Sequence, residues 1–329
     1  MGLDTASVKF LCAARSLGVD FTSTAMIGRQ QFFPDPATLQ RVFSILGVNH
    51  DPKEFLRENL YGERFFALLG AKDIASIDCS SYENASIIHD MNVPIPDDLR
   101  ERFSAVYDGG TLEHVFNIPQ AFKNCMEMVR IGGHFAQANV ANNFMGHGFW
   151  QFSPELLFGA FSPGNGYQIE VVLLHEVIPG GAWYIVANPD EVRSRVELCN
   201  NSPTYILTVA RRVARAAIFN PPPLQSDYVA RWKGTANNPP QPASNPGGRD
   251  TRPRAVRGPI GWRRHLPLPV KRAMRAALDR AFDVYNEKLK RVIIRGFKRP
   301  YYKQVSEEDL LRGKLGLEAV PDQHGVPTR

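Results

Sequence analysis

Cysteine is scarce in this chain of 329 residues. The four present, Cys12, Cys79, Cys125 and Cys199, lie far apart, with no C-x-x-C pair and no histidine at ligand spacing. That argues against a disulfide framework or a structural zinc site and fits a reducing cytoplasm. Long apolar runs are also missing: none approaches the roughly eighteen residues of a spanning helix. The brief run Val8 to Ala14, interrupted by Lys9 and followed by Arg15, is too short and poorly flanked for a secretory signal, so the expectation is a soluble protein. No G-x-G-x-x-G is present, which weighs against a nicotinamide dehydrogenase. No internal repeat is found.

What is present suffices for a sizeable core, with 43% hydrophobic and 10% aromatic residues. The length suits one α/β domain of about 200 residues plus an appendage, or two modest domains. The net charge of +6 hides an asymmetry: residues 251–303 carry sixteen Lys or Arg against Asp279, Asp283 and Glu287, so the remainder is acidic. This speaks about the partners of the C-terminal part rather than the fold. Between Asn220 and Pro269 lie eleven of the 25 prolines, among Asn, Gln, Ser and Gly. Such a segment buries too little apolar area to offset its ordering entropy, and a disordered linker from about Lys233 to Arg257 is expected. Beyond it, Val270, Met274, Leu278, Ala281, Tyr285, Leu289 and Val292 follow helical spacing, giving a basic amphipathic helix.

Upstream, short β-prone runs alternate with helical patterns. Thr22 to Ile27 reads as a first strand stopped at Gly28. Leu39, Val42, Phe43 and Leu46 fall at i, i+3, i+4 and i+7 behind Asp35-Pro36, and a second helix covers Glu63 to Leu69, stopped by Gly70. Strands follow at Ile74 to Ile77, Ala85 to Ile88 and Ala105 to Tyr107, then a helix from about Pro119 to Val129 and a strand at His134 to Ala138. Runs at Ile169 to Leu174, Trp183 to Ala187 and Thr204 to Ala210 complete the sheet. The alternation predicts a mostly parallel sheet wound on both faces. The expected division is a first domain over 1–215, a Pro-rich linker over 216–265 and a basic helix and tail over 266–329.

The stretch FSAVYDGGTLEHVFNIPQAFKNCMEMVRIGGHFAQANVAN, starting at Phe103, gives a strand, an acidic-glycine turn, a Leu-Glu-His segment, a helix, a double glycine and another strand. It resembles the fourth strand, fourth helix and fifth strand of a class I S-adenosylmethionine-dependent methyltransferase, and the resemblance extends over roughly residues 20–212. It implies a Rossmann-like, seven-stranded α/β fold, S-adenosylmethionine as cofactor, S-adenosylhomocysteine as product and no metal. The family's acidic residue and Gly-x-Gly-x-Gly are reduced here to Met26-Ile-Gly-Arg-Gln-Gln-Phe-Phe33, with the single Gly28 followed by Arg29, which could meet the cofactor carboxylate or block the site.

A cofactor of this kind needs a glycine turn after the first strand, an acid after the second to accept ribose hydroxyls, and a polar group after the third. Gly28, Asp78 and Asp90 fall at those places, and Asp108-Gly109 follows the fourth strand, where the family meets the transferred methyl group. Glu113, His114 and His147 are the candidates for proton removal, since a histidine titrating near neutrality suits that task. Each has a plainer reading, as a cap, a packed side chain or a loop residue. Ser153 is placed to cap a helix at Pro154, while Phe149, Trp150 and Phe152 form either a substrate wall or core anchors.

The sequence thus points to an enzyme methylating an oxygen or nitrogen of a small-molecule or glycan-like acceptor. The rival is a methyltransferase-like scaffold without cofactor, acting through its basic tail. For residues 262–303 three readings stand open: docking on the domain, an anionic membrane surface favoured by Trp262, Phe297, Tyr301 and Tyr302, or nucleic acid, which lacks a recognisable binding fold. The protein is accordingly expected in the cytoplasm, with peripheral attachment to the inner membrane face in the second case.

Overall fold

The structure is a computed structural model describing residues 2–58, 60–198, 200–234 and 301–317. The amphipathic helix expected at 270–292, most of the expected linker, and Trp262, Phe297 and Cys199 lie outside the described residues.

The core is a nine-stranded mixed sheet. Its parallel half consists of β2 (Ser23–Ile27), β4 (Asp73–Asp78), β5 (Ile87–Ile88), β6 (Phe103–Asp108) and β7 (Val129–Asn142). Its antiparallel half consists of β8 (Tyr167–Glu176), β9 (Trp183–Val186), β10 (Thr204–Arg212) and β11 (Tyr302–Val305). Across the sheet the order is β11-β9-β8-β10-β7-β6-β2-β4-β5. The chain starts in the middle at β2, steps outward through β4 and β5, and returns to pair β6 against the other side of β2. That reversal creates a crevice at the C-terminal ends of β2 and β6, where open α/β sheets bind ligands. The fold is therefore Rossmann-like, but the sheet is mixed and has nine strands rather than the expected seven: the run at Trp183 forms β9 as read, and β11 is added beyond it at the antiparallel edge. The two-stranded pairing of β1 (Gly2–Leu3) with β3 (Gln31–Phe32) lies apart from the sheet.

Alternation along the central strands divides the core in two. Met26, Ala105, Tyr107, Ala136 and Leu207 face one layer, with Phe32, Phe43, Phe55, Phe65 and Phe66. Ala25, Ile27, Val106, Phe135 and Ile206 face the other, with Phe122, Phe152 and Phe161. The first layer comprises α1 (Thr5–Ser16), α2 (Pro36–Leu46), α3 (Pro52–Glu58) and α4 (Glu63–Leu68). Helix α2 starts as its sequence indicates: Asp35 Oδ1 accepts from Thr38 N at 2.8 Å, Pro36 follows, and Gly47 ends it with φ 69°. The second layer holds α5 (Ile118–Met128) and α6 (Pro154–Ala160), the latter capped by Ser153 as expected.

The double glycine differs from its expected role as a turn between helix and strand. Helix α5 ends at Met128, and Gly132 and Gly133 lie inside β7, where the register slips between Phe103↔Val129 and Ala105↔His134. A Cβ on Gly133 would stand 2.6 Å from Ser104 O, so the bulged backbone passes too close for a side chain. The buried Arg212 guanidinium closes the nearby end of α5: its Nη1 donates to the carbonyls of Met126, Glu127 and Val129 at 3.3, 3.1 and 2.6 Å.

Two further helices, α7 (Pro189–Val192) and α8 (Ser226–Trp232), pack on each other, and α8 lies within the segment read as linker. The chain then rejoins the sheet through β11, antiparallel to β9, and through α9 (Glu307–Leu311). Leu310, Leu311 and Leu315 are buried in the first layer, and Glu307 binds Lys9 at 2.7 Å and Arg41 at 2.5 Å. Residues 302–311 therefore belong to the sheet and its helical cover, beyond the expected boundary at 215. No described helix is long and apolar enough to cross a membrane.

Candidate active site

Strand β6 delivers Asp108, fully buried, to the crevice. Its Oδ1 accepts from Thr111 N at 2.9 Å and Leu112 N at 3.3 Å, which fixes the turn leading into the 3₁₀ turn Leu112–His114. Its Oδ2 accepts from Asn139 Nδ2 at 2.6 Å, and the same amide nitrogen reaches Glu113 Oε2 at 3.0 Å. Two buried carboxylates thus share one amide. Burial, and for Glu113 also the neighbouring Asp108 charge, push their pKa values up, Asp108 to about 6 and Glu113 to about 7.

The second oxygen of Glu113, Oε1, has no hydrogen-bond partner among the described residues and lies 3.8 Å from His147 Nε2, which is also without one there. His147 comes from the loop after β7, and that loop is docked on the Glu113 backbone: Phe149 N and Trp150 N donate to Glu113 O at 2.8 and 3.2 Å. Gly148, at φ +71°, permits this approach, since its Cβ would lie 2.7 Å from the same oxygen. His114 is exposed, with its ring centroid 5.0 Å from that of His147. Burial lowers the pKa of both histidines, and the adjacent His147 lowers His114 further. The three expected proton-handling residues, Glu113, His114 and His147, therefore come together. Beside them Phe116 and Phe149 pack edge to face at 5.6 Å, both exposed, while Trp150 Nε1 donates to Val115 O at 3.0 Å. Phe152 is buried in the core instead.

The expected cofactor residues are arranged less uniformly. Gly28, Asp108 and Gly109 meet where β2 and β6 end, but the glycines do not form an open cradle. A Cβ on Gly28 would stand 2.5 Å from Thr111 Oγ1, and one on Gly109 would stand 2.5 Å from Gln30 Oε1. The protein's own side chains fill that space, so the close backbone approach expected of a glycine turn is replaced by contact with Gln30. Gln30 is buried, its Nε2 donates to Ile27 O, and its Oε1 has no partner. Arg29 turns to Glu63 at 2.7 Å, to Glu83 O at 2.8 Å and over the Tyr61 ring. Asp78 stands half-buried at the end of β4, its Oδ1 accepting from Ser80 N at 3.2 Å. Asp90 is exposed beyond β5 and closes a local turn onto Asn92 N at 2.9 Å.

These residues fit an aminoacyl nucleoside in two respects: a carboxylate for hydroxyl donors at Asp78, and a buried acceptor without a partner at Gln30 Oε1, which suits an ammonium. From sequence, neither Asn139 nor Gln30 has a role of its own, although Asn139 belongs to the run of polar residues before His147. The available signal was a buried-strand position held by a polar residue for Asn139, and a side chain two places past Gly28 for Gln30.

Fold and site together define a Rossmann-like α/β protein with a carboxylate–imidazole cluster at its switch point. No protein-family model matches the chain, and no curated protein matches it. Among solved structures it is similar to a candidate methyltransferase from Bacillus halodurans, at 11% identity and a TM-score of 0.35 over 61% of this chain and 99% of that one. It is also similar to an S-adenosylmethionine-dependent methyltransferase from Mesorhizobium loti, at 16% identity and a TM-score of 0.29 over 60% and 96%. A branched-chain polyamine synthase from Thermus thermophilus, in complex with N4-aminopropylspermidine and 5'-methylthioadenosine, is similar at 12% identity and a TM-score of 0.33 over 64% and 56%.

Proposed function

We propose that this chain is a cytoplasmic S-adenosylmethionine-dependent methyltransferase acting on an oxygen or nitrogen of a small-molecule or glycan-like acceptor. The observation that carries the reading is the convergence of the Asp108–Asn139–Glu113 network and two histidines on the β2/β6 switch point, with Asp78 at the neighbouring strand end. The Leu112-Glu113-His114 segment adds the family resemblance. In this reading Asp78 accepts the ribose hydroxyls, Asp90 lies toward the base, and Gln30 Oε1 accepts from the amino group. Gly28 and Gly109 leave room for Thr111 and Gln30 rather than for the ligand.

The bound cofactor supplies an electrophilic methyl group. Asp108 holds the turn that carries Glu113, and Asn139 fixes one oxygen of Glu113 so that the other faces His147. An acceptor placed against Phe149 and Trp150 would give up its proton to Glu113 or His147 while its oxygen or nitrogen lone pair takes the methyl group and the sulfur keeps the electron pair of the bond that breaks. Calorimetric titration with S-adenosylmethionine and S-adenosylhomocysteine, on the native protein and Asp78→Ala, tests the reading. Micromolar binding lost on substitution supports it, and no binding up to millimolar cofactor refutes it.

A further inference from the structure

We propose that Glu113, His114 and His147 bind one divalent first-row transition-metal ion, leaving its solvent side open to an acceptor bearing oxygen or nitrogen. One donor atom from each residue lies within 4.8 Å of the other two. Glu113 is fully buried, yet among the described residues its Oε1 has no hydrogen-bond partner and faces His147 Nε2, which has none either. Their separation of 3.8 Å is too long for a hydrogen bond. Two facing polar atoms without partners are costly to bury and call for a group between them. Donors bound about 2.1 Å from one ion stand about 3.0–3.4 Å apart at right or tetrahedral angles, so closure by about half an ångström on the Glu113–His147 edge, and by up to about 1.5 Å for the exposed His114 side chain, seats an ion here.

The carboxylates attract a cation, and an incoming ion competes with the chain's own amino-terminal charge, which, against burial, lowers the pKa of Asp108 and Glu113 and, with burial, those of both histidines. Asp108 and Glu113 share the single Asn139 amide, and among the described residues no lysine or arginine forms an ion pair with either. Asn139 occupies Glu113 Oε2 and leaves Oε1 free, the arrangement by which an outer hydrogen bond aims a ligating carboxylate. The scaffold is fixed on both sides, by Asp108 under the 3₁₀ turn and by the Phe149 and Trp150 amides on the Glu113 carbonyl. Two imidazoles and one carboxylate select zinc, manganese or iron over magnesium or calcium, which prefer all-oxygen sites. Three donors on one side leave positions for water or an acceptor hydroxyl, whose acidity the ion would raise; with the ion held by Glu113 Oε1 and His147 Nε2, those atoms no longer take the acceptor's proton, which passes to solvent instead. That catalytic role rests on the methyl-transfer reading, whereas the binding itself does not.

The test uses full-length, reduced, chelator-stripped protein titrated with Zn2+ by calorimetry and with Mn2+ by electron paramagnetic resonance, with Mg2+ as the comparison. One equivalent of Zn2+ should bind at micromolar concentration or below. His114→Ala and His147→Ala, which alter exposed and half-exposed side chains, should each weaken it at least about 100-fold with the far-ultraviolet spectrum unchanged. Asn139→Ala should weaken it about 10-fold or more. No such equivalent, one that survives both histidine substitutions, or Mg2+ bound as tightly as Zn2+ would overturn the proposal. Parallel cofactor titrations separate the two readings: metal binding without cofactor binding keeps this site and removes the methyltransferase, and the converse removes this site alone.

Discussion

His175 offers a sharp test of the packing on the antiparallel side. It lies on β8 with its ring stacked on Trp183, centroids 4.0 Å apart at 17°, and its Nδ1 is 3.3 Å from Ala182 O. Burial lowers its pKa from 6.5 to about 4, the Ala182 carbonyl opposing and Lys9 adding to the effect. The sign follows from proton counting. Between these two values the unfolded chain holds the proton and the folded chain does not, so stability rises with pH across the window. The contribution is complete above about pH 6.5 and is lost as pH falls through about 4. At pH 4.5 the unfolded imidazole is almost fully protonated and the folded one about a quarter, a loss of about 2.5 kcal/mol relative to pH 7.5. Other groups titrate as well, so the measurement is the difference between native protein and His175→Phe, which keeps a stacked ring without a proton site. Urea unfolding at pH 7.5 and 4.5 should show the native protein losing about 2–3 kcal/mol more than the variant. A difference that stays constant within about 0.5 kcal/mol would refute the reasoning, as would a His175 ring resonance titrating near 6.5.

Other perturbations address the site and its supports. Gly148→Ala pushes a methyl group into Glu113 O at a positive φ, and a cost of about 1–3 kcal/mol is expected. Thermal unfolding should record that loss, and the His147 ring resonance should shift with the displaced loop. Arg212→Leu removes a donor from Val129 O and the second donor from Met126 O, Glu127 O and Glu101 Oε1, which keep Tyr167 Oη, Glu101 N and Arg215 Nε, so a loss of about 1–3 kcal/mol is expected in urea. Leu310→Ala, at a fully buried position of α9, should cost about 2–4 kcal/mol and expose residues 301–317 to limited proteolysis before the rest of the sheet.

Periodicity and turn chemistry placed β2, β4, β6, β8, β10, α2, α4 and α5 within a few residues, because each carries its own apolar run and its own stop. The site was legible as far as neighbours in sequence went: Asp108, Glu113 and His114 share one turn. That His147 joins them depends on Gly148 passing close to Glu113 O, a tertiary contact that spacing along the chain does not encode. The shared amide of Asn139 and the filling of the glycine turn by Gln30 were hidden for the same reason. Gly132 and Gly133 resembled a turn because the local sequence carries no sign of the Ser104 carbonyl that demands them. Strand β11 was missed because four residues following a basic run have little pattern of their own. Its place is set by pairing with β9, more than a hundred residues earlier.

That return to the sheet changes what the intervening sequence is. With Trp232 closing α8 and Tyr302 opening β11, the Pro-rich and Arg-rich stretch of sequence between them is joined to the described fold at both of its ends. Any surface it touches is tethered to the sheet through two points, so pulling on it loads β11 and α9 as well as α8. A single cut within it would give two polypeptides that still hold together through the β9–β11 pairing and the Lys9–Glu307 contact. Removing everything beyond residue 234 would instead strip the sheet of its outermost strand and leave β9 as a bare edge, inviting self-association.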